Sequence, residues 1–223
     1  MFAMILAAGI GSRLKPLTEN TPKPMLPVAG EPLIGHQLHA LARAGVTDVV
    51  INLHHLKEQI TDYVGTGQSF GVSIHYSHEP QLLETGGAIR QALPLFEERP
   101  FWLLNGDIWT DFDFATLPLE IPHNSAHLVL TPTPAHRDAG DFEWAEGLIT
   151  SRGNTYVYCG IACLQPTIVS HVSAGTHFSL RDTFFRLIAE KRLYGQVHQG
   201  AWHDIGSLPQ YQALLQQHPN VAS

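Results

Sequence analysis

Short apolar runs alternate with segments of helical spacing through the first 107 residues. This alternation restricts the possible folds more than any other feature of the chain. Residues 3–7 form an apolar run of strand length. Residues 32–44 carry Leu33, Ile34, Leu38, Leu41 and Ala42 at helical spacing, with Pro32 near the first turn and Gly45 as the stop. Strand-like runs follow at 48–53, 72–77 and 101–105, separated by helical patterns at 56–64 and 85–93. The order β-α-β-α-β-α-β predicts a parallel sheet covered by helices on both faces. The second half is richer in strands, at 127–133, 147–150, 156–164 and 193–199, with helices over 180–191 and 207–217. These strands are expected to extend the same sheet. The expected fold class is α/β, a single domain over residues 1–223 with a mostly parallel, mixed central sheet flanked by helices. Residues after Asn220 are expected to fray.

Ligands of such sheets gather beyond the C-terminal ends of the strands, and Gly9, Asn105 and Asp107 fall at such ends. The first turn reads Gly9-Ile10-Gly11-Ser12-Arg13-Leu14-Lys15. A glycine turn lets backbone N–H groups approach phosphate oxygens, and Arg13 and Lys15 add donors and charge. Thirteen Lys and Arg against twenty Asp and Glu leave a net charge of −7, yet Arg13, Lys15 and Lys23 fall within eleven positions. A cationic loop in an acidic chain reads as a polyphosphate site, while the overall acidity argues against a nucleic-acid partner. The P-loop pattern is absent, and Leu14 stands where a dinucleotide fingerprint needs its third glycine. In Thr21-Pro22-Lys23-Pro24-Met25-Leu26-Pro27, three prolines stiffen the backbone around one lysine.

Residues 9–14 and 22–24 together resemble the signature of the nucleotide-sugar pyrophosphorylases, or sugar 1-phosphate nucleotidyltransferases: Gly-x-Gly-Ser/Thr-Arg-Leu followed by Pro-Lys-Pro. The likeness continues at Glu84-Thr85-Gly86-Gly87-Ala88, Asn105-Gly106-Asp107, Gly140-Asp141-Phe142, Tyr158-Cys159-Gly160-Ile161 and Trp202-His203-Asp204-Ile205-Gly206. It implies a Rossmann-like domain with a nucleotide-binding half (1–110) and a sugar-binding half (111–223). It also implies an Mg²⁺-dependent enzyme that transfers a uridylyl group from UTP to a sugar 1-phosphate and releases pyrophosphate. The short length, the Gly-Asp-Phe and the Trp-x-Asp-Ile-Gly ending point to N-acetylmuramate 1-phosphate as acceptor, in cell-wall recycling. Thymidylyl or guanylyl transfer to glucose or mannose 1-phosphate is the alternative within the class. A non-catalytic nucleotide-sugar sensing subunit is the alternative from another class. The presence of Arg13, Lys23, Asp107 and Asp204 favours catalysis.

The same resemblance assigns residues. Arg13 and Lys23 are the catalytic cations, serving the triphosphate and the reacting phosphates. Nucleotide binding falls to Ala7, Ala8, Gly9, Gly11, Ser12, Arg13, Lys23, Glu79 and Gly86, with the base met by backbone of Ala7, Ala8 and Gly86 and by the side chain of Glu79 or Gln81. The sugar falls to Asn105, Gly140, Glu143 and the Gly160 region. Asp107 and Asp204 are the expected Mg²⁺ ligands, a hard-oxygen set that only the fold can unite. Many relatives place a Glu-Lys-Pro in the second half, whose Lys holds the sugar phosphate. Here Asp141-Phe142-Glu143-Trp144-Ala145-Glu146-Gly147 has no Lys. Either the metal and Lys23 serve both phosphates, or Arg137 or Arg152 substitutes; an arginine there would also suit a carboxylate on the sugar.

Cys159 and Cys163 would lie about 13 Å apart on one strand, too far for a disulfide, and read as buried thiols. The fourteen histidines show no zinc spacing. Phe184, Phe185 and Trp102 read as core. Residues 2–8 have no basic lead-in, and no apolar run spans a bilayer. A cytoplasmic monomer without membrane partners is expected.

Overall fold

The computed structural model describes residues 1–218; the fraying expected after Asn220 lies outside them. Strand β1 (Phe2–Leu6) leads through three 3-10 turns (Ser12–Leu14, Leu17–Glu19 and Lys23–Met25) to a two-residue pair, β2 (Pro27–Val28) and β3 (Glu31–Pro32). Helix α1 (Leu33–Arg43), β4 (Asp48–Leu53), α2 (Lys57–Val64), β5 (Ser73–His78), α3 (Glu84–Ala92) and β6 (Phe101–Asn105) complete the alternating half. The second half runs β7 (Ile108–Thr110), β8 (Ala126–Pro132), β9 (Phe142–Ala145), β10 (Leu148–Arg152) and β11 (Tyr156–Leu164). Helices α4 (Thr167–Ser170) and α5 (Leu180–Ala189), strands β12 (Leu193–Val197) and β13 (Trp202–Asp204), and α6 (Leu208–Gln217) follow.

Helix α1 shows how closely local chemistry sets these boundaries. Its buried face is Leu33, Ile34, Leu38 and Leu41, at the spacing expected of an amphipathic helix. It ends where Gly45 takes φ +86°. The Gly45 N–H then donates to the Ala42 carbonyl and the Val46 N–H to the Leu41 carbonyl, the paired bonds of a Schellman cap.

Among the described residues, nine strands form one sheet in the order β5-β4-β1-β6-β11-β8-β12-β10-β9. Strands β5, β4, β1 and β6 are mutually parallel. Strand β11 runs against both β6 and β8, β8 is parallel to β12, and β10 runs against β12 and β9. Only β10 and β11 therefore oppose the common direction, so the sheet is mixed and mostly parallel, as expected.

Each central strand feeds both faces. Ala3 and Ile5 of β1, and Trp102 and Leu104 of β6, pack with α1 and α2. Phe2 and Met4, and Phe101 and Leu103, pack with α3, α4 and α5 on the other side. This period-2 split gives three layers, helix, sheet and helix. Trp102 and Phe184 are core, whereas Phe185 is only half-buried. Both cysteines are free and fully buried within β11.

A third, smaller cluster matters more for function. Leu14, Leu26, Val28 and Leu33 pack with Ile205, Tyr211 and Leu214. The Tyr211 hydroxyl donates to the Pro27 carbonyl at 2.7 Å. The residue that breaks the dinucleotide pattern, Leu14, is the fully buried centre of this cluster. It anchors the cationic loop to the last strand and helix, and its truncation to Ala would cost about 2–5 kcal/mol.

Strands β7, β9 and β13 were not expected. Each has three or four residues, too few to show a period, and among the described residues β7 pairs only with β13.

Candidate active site

The parallel register brings three strand ends into line. Leu6 of β1 lies opposite Asn52 of β4 on one side and Asn105 of β6 on the other. The chain leaves the sheet at these points. The Gly106 N–H donates to the Leu6 carbonyl at 2.9 Å, which fixes the β6 exit against the β1 exit.

Two cavities open above this line, of about 820 and 480 Å³. They share Leu6, Thr85, Asn105 and Asp107. The smaller is lined by Ala7, Ala8, Gly9, Lys23 and Glu79 of the expected nucleotide set. The larger is lined by Arg13, Gly140, Gly160 and Asp204. Asp107 thus sits where the two meet.

Lys23 lies at the start of its 3-10 turn, between Pro22 and Pro24. Its Nζ reaches Asp107 Oδ2 at 2.9 Å, with the lysine side chain 11% exposed. Asp204 comes to the same place through backbone pairing. Strand β13 runs antiparallel to β7 with Asp204 opposite Ile108, and the Ile205 N–H donates to the Asp107 carbonyl at 2.9 Å. Gln210 of α6 donates its amide to Asp204 Oδ1 at 2.9 Å, and Ser207 donates its hydroxyl to the Gln210 amide oxygen.

A hard divalent cation fits this pair. Asp107 Oδ1 and Asp204 Oδ2 accept no hydrogen bond from the described residues, whereas their sister oxygens are held by Lys23 and Gln210. No cluster of three or more metal-binding side chains occurs among the described residues. Two carboxylates completed by substrate oxygens and water are what Mg²⁺ commonly takes. Beside them, burial and then the neighbouring His218 hold the His203 imidazole below the ordinary histidine range.

On the nucleotide side a directional hydrogen-bond chain crosses three elements. The Ala7 N–H donates to Asn52 Oδ1 at 2.7 Å, Asn52 Nδ2 to Glu79 Oε1 at 2.6 Å, and the Leu83 N–H to Glu79 Oε2 at 3.0 Å. Glu79 is 4% exposed, with both oxygens engaged. Its carboxylate is therefore a bracket between the first loop and the start of α3. Asn52 escaped the sequence reading, although a lone amide in the otherwise apolar segment Val49-Val50-Ile51-Asn52-Leu53 was the available signal. Gln37, buried on α1, was missed likewise. Its Nε2 donates to the carbonyls of Asn105 (2.9 Å) and Ile108 (3.1 Å), which places the loop carrying Asp107.

On the sugar side, Gly160 takes φ +73° at an irregularity in the β11–β8 pairing. A Cβ there would stand 2.7 Å from Asn105 Nδ2, so this glycine makes the seat of the Asn105 side chain.

Two of the expected residues lie outside both cavities. Glu143 lines neither cavity; its Oε1 accepts the N–H groups of Asn154 (2.9 Å) and Thr155 (3.2 Å), closing the turn between β10 and β11. A hydrogen bond from the Thr155 side chain, and then these backbone bonds, hold its carboxyl below the usual range. Gly86 lines neither cavity, and its N–H donates to the Phe178 carbonyl at 3.0 Å. Gly11 and Ser12 also lie outside both linings. Gly11 accepts the Thr18 hydroxyl at its carbonyl, at 2.8 Å, and so shapes the loop.

Known proteins share this sequence and architecture. The chain is 42% identical to the N-acetylmuramate alpha-1-phosphate uridylyltransferase of Neisseria meningitidis, covering 93% of this chain and 94% of that protein. It is 32% identical to the protein of the same name from Caulobacter vibrioides, over 92% and 91% of the two chains. The mannose-1-phosphate guanyltransferase of Gibberella zeae is 28% identical, and the match spans only 61% of that longer protein. Among solved structures, a UDP-glucose pyrophosphorylase complexed with UDP-glucose superposes with a TM-score of 0.81 over 97% of each chain at 20% identity, which shows the shared fold. Residues 2–221 match the nucleotidyl transferase family, and the chain belongs to that family.

Proposed function

We propose that the protein transfers a uridylyl group from UTP to N-acetylmuramate 1-phosphate. The observation that carries this reading is the junction of the two cavities at Asp107, with Lys23 bonded to it and Asp204 on the adjoining strand. The uridylyl donor and the acceptor are supported by the 42% identity to an enzyme named for that reaction.

A phosphate oxygen of the sugar 1-phosphate attacks the α-phosphorus of UTP. The new bond is O–Pα; the bond that breaks joins Pα to the β-phosphate bridge oxygen, whose electron pair leaves with pyrophosphate. The attacking group is already an anion, so no protein nucleophile or general base is required. The protein's task is to hold two anions together and stabilise charge in line. Ala8 and Gly9 border the nucleotide cavity, and Asn105, Gly140 and Gly160 border the sugar cavity. Lys23 lines the smaller cavity beside Asp107 and Arg13 faces the larger one, each supplying positive charge to phosphate oxygens. Asp107 and Asp204 would hold Mg²⁺, which when bound neutralises phosphate charge and orients the triphosphate. We assign the activity to a cytoplasmic monomer.

A pyrophosphate-release panel tests the reading: four nucleoside triphosphates crossed with several sugar 1-phosphates, with and without Mg²⁺. UTP with N-acetylmuramate 1-phosphate should dominate and should need the metal. Preference for dTTP with glucose 1-phosphate would refute the substrates, and no coupling under any condition would refute catalysis.

A further inference from the structure

Of the arginines that line the large cavity, which also holds Asp107, Asp141 and Asp204, the proposed transfer uses only Arg13. Arg137, Arg152 and Arg181 line it together with Arg13, in a chain whose acidic residues outnumber its basic ones by twenty to thirteen. The three are not equivalent. Arg137 Nη1 stands 3.8 Å from Asp141 Oδ2, and the same carboxylate oxygen accepts the Tyr158 N–H. That cation already has its counter-charge. Arg152 and Arg181 have no carboxylate within ion-pair distance among the described residues.

Arg152 is nonetheless placed. Its guanidinium lies over the Phe185 ring, 4.7 Å from the centroid. Phe185 follows Arg181 by one turn of α5, so the ring and the Arg181 side chain share a helix face. Both cations line the large cavity, Arg152 from β10 and Arg181 from α5. Stacking covers the face of the Arg152 guanidinium and leaves its edge of N–H donors open, the geometry that matches a carboxylate. Two neighbouring cations repel, and an anion between them removes that cost. Neither lines the smaller, nucleotide-side cavity, and neither stands at its junction with the larger one.

We infer that Arg152 and Arg181 form a second anion subsite that takes a carboxylate carried by the acceptor sugar, separate from its reacting phosphate, and that this pair sets acceptor choice. The inference rests on the proposed uridylyl transfer. It assigns recognition to this pair rather than to Arg137.

The test compares kcat/KM for N-acetylmuramate 1-phosphate and N-acetylglucosamine 1-phosphate, which differ only by the lactyl ether and its carboxylate. In Arg152→Gln and Arg181→Gln the ratio of the two should fall by about 10- to 100-fold, as expected for a lost charge-assisted hydrogen bond. Arg152→Lys keeps the charge without the fork and should fall between. Esterifying the lactyl carboxylate should remove the preference in the unaltered protein, a result independent of any variant's folding. Equal losses on both acceptors, an unchanged ratio, or full activity on the ester would each overturn the inference. If the unaltered protein couples UTP to neither sugar, the functional reading falls and this one with it. If it uses N-acetylmuramate 1-phosphate and both glutamine variants keep its preference, the inference alone falls.

Discussion

The bracket around Glu79 makes an exacting prediction, because its hydrogen bonds have a fixed direction. Both oxygens of Glu79 accept, one from Asn52 and one from the Leu83 backbone, and Asn52 must accept from Ala7. Glu79→Gln keeps size and shape but brings one oxygen and one NH₂. Whichever way the new amide turns, its NH₂ meets a donor. Flipping Asn52 only moves the conflict to the Ala7 N–H. One buried donor is left unmet, at a cost of about 1–3 kcal/mol. For a domain of this size each kcal/mol shifts Tm by about 2–4 °C, so a loss of roughly 2–12 °C is expected. The reciprocal change restores the chain. In the double variant Asn52→Asp/Glu79→Gln, the introduced carboxylate accepts from the Ala7 N–H and from the introduced amide, and the oxygen of that amide accepts from Leu83. Urea unfolding of wild type, both single variants and the double variant closes the cycle, with an expected coupling of about 1–3 kcal/mol in favour of the double. A fully stable Glu79→Gln, or a double variant no better than the worse single, would refute the directional argument.

Gln37→Leu removes the amide that holds the Asn105 and Ile108 carbonyls; kcat should fall at least tenfold with little change in the Kd for UTP, and a fall in UTP affinity alone would contradict a positioning role. Gln210→Ala frees the held oxygen of Asp204 and should raise the Mg²⁺ concentration for half-maximal activity by about 10- to 100-fold, read from a magnesium titration. Cys159 and Cys163 are fully buried, and burial pushes both thiols up, Cys163 to about 12. Neither should react with a disulfide reagent at pH 8 until the protein unfolds, and rapid labelling of the native protein would contradict this.

How much of this was legible in the sequence follows from the range of each interaction. The helix α1 face, the alternating strands and the Gly45 stop are set within a few residues, and they read correctly. The proposed metal carboxylates were reached through motif resemblance, since nothing local links Asp107 to Asp204. The hydrogen bonds that hold Glu143 and Gly86 were hidden for the same reason. Their partners, Asn154, Thr155 and Phe178, lie 11 to 92 residues away. Asn52 and Gln37 were the missed opportunity: a polar residue amid an apolar stripe has to find a partner, and that rule could have flagged both. Arg181 gave no sign, because only the fold brings it and Arg152 to one cavity.

The β7–β13 pairing has a bearing on how the protein is made. The first acid leaves the ribosome almost a hundred residues before the second, and the small cluster of Leu14, Ile205 and Tyr211 cannot close until α6 has emerged. Until then the loop that carries Lys23 and the segment that carries Asp107 lack the strand and helix that pack on them. The site would then be completed late, when the closing strand and helix dock.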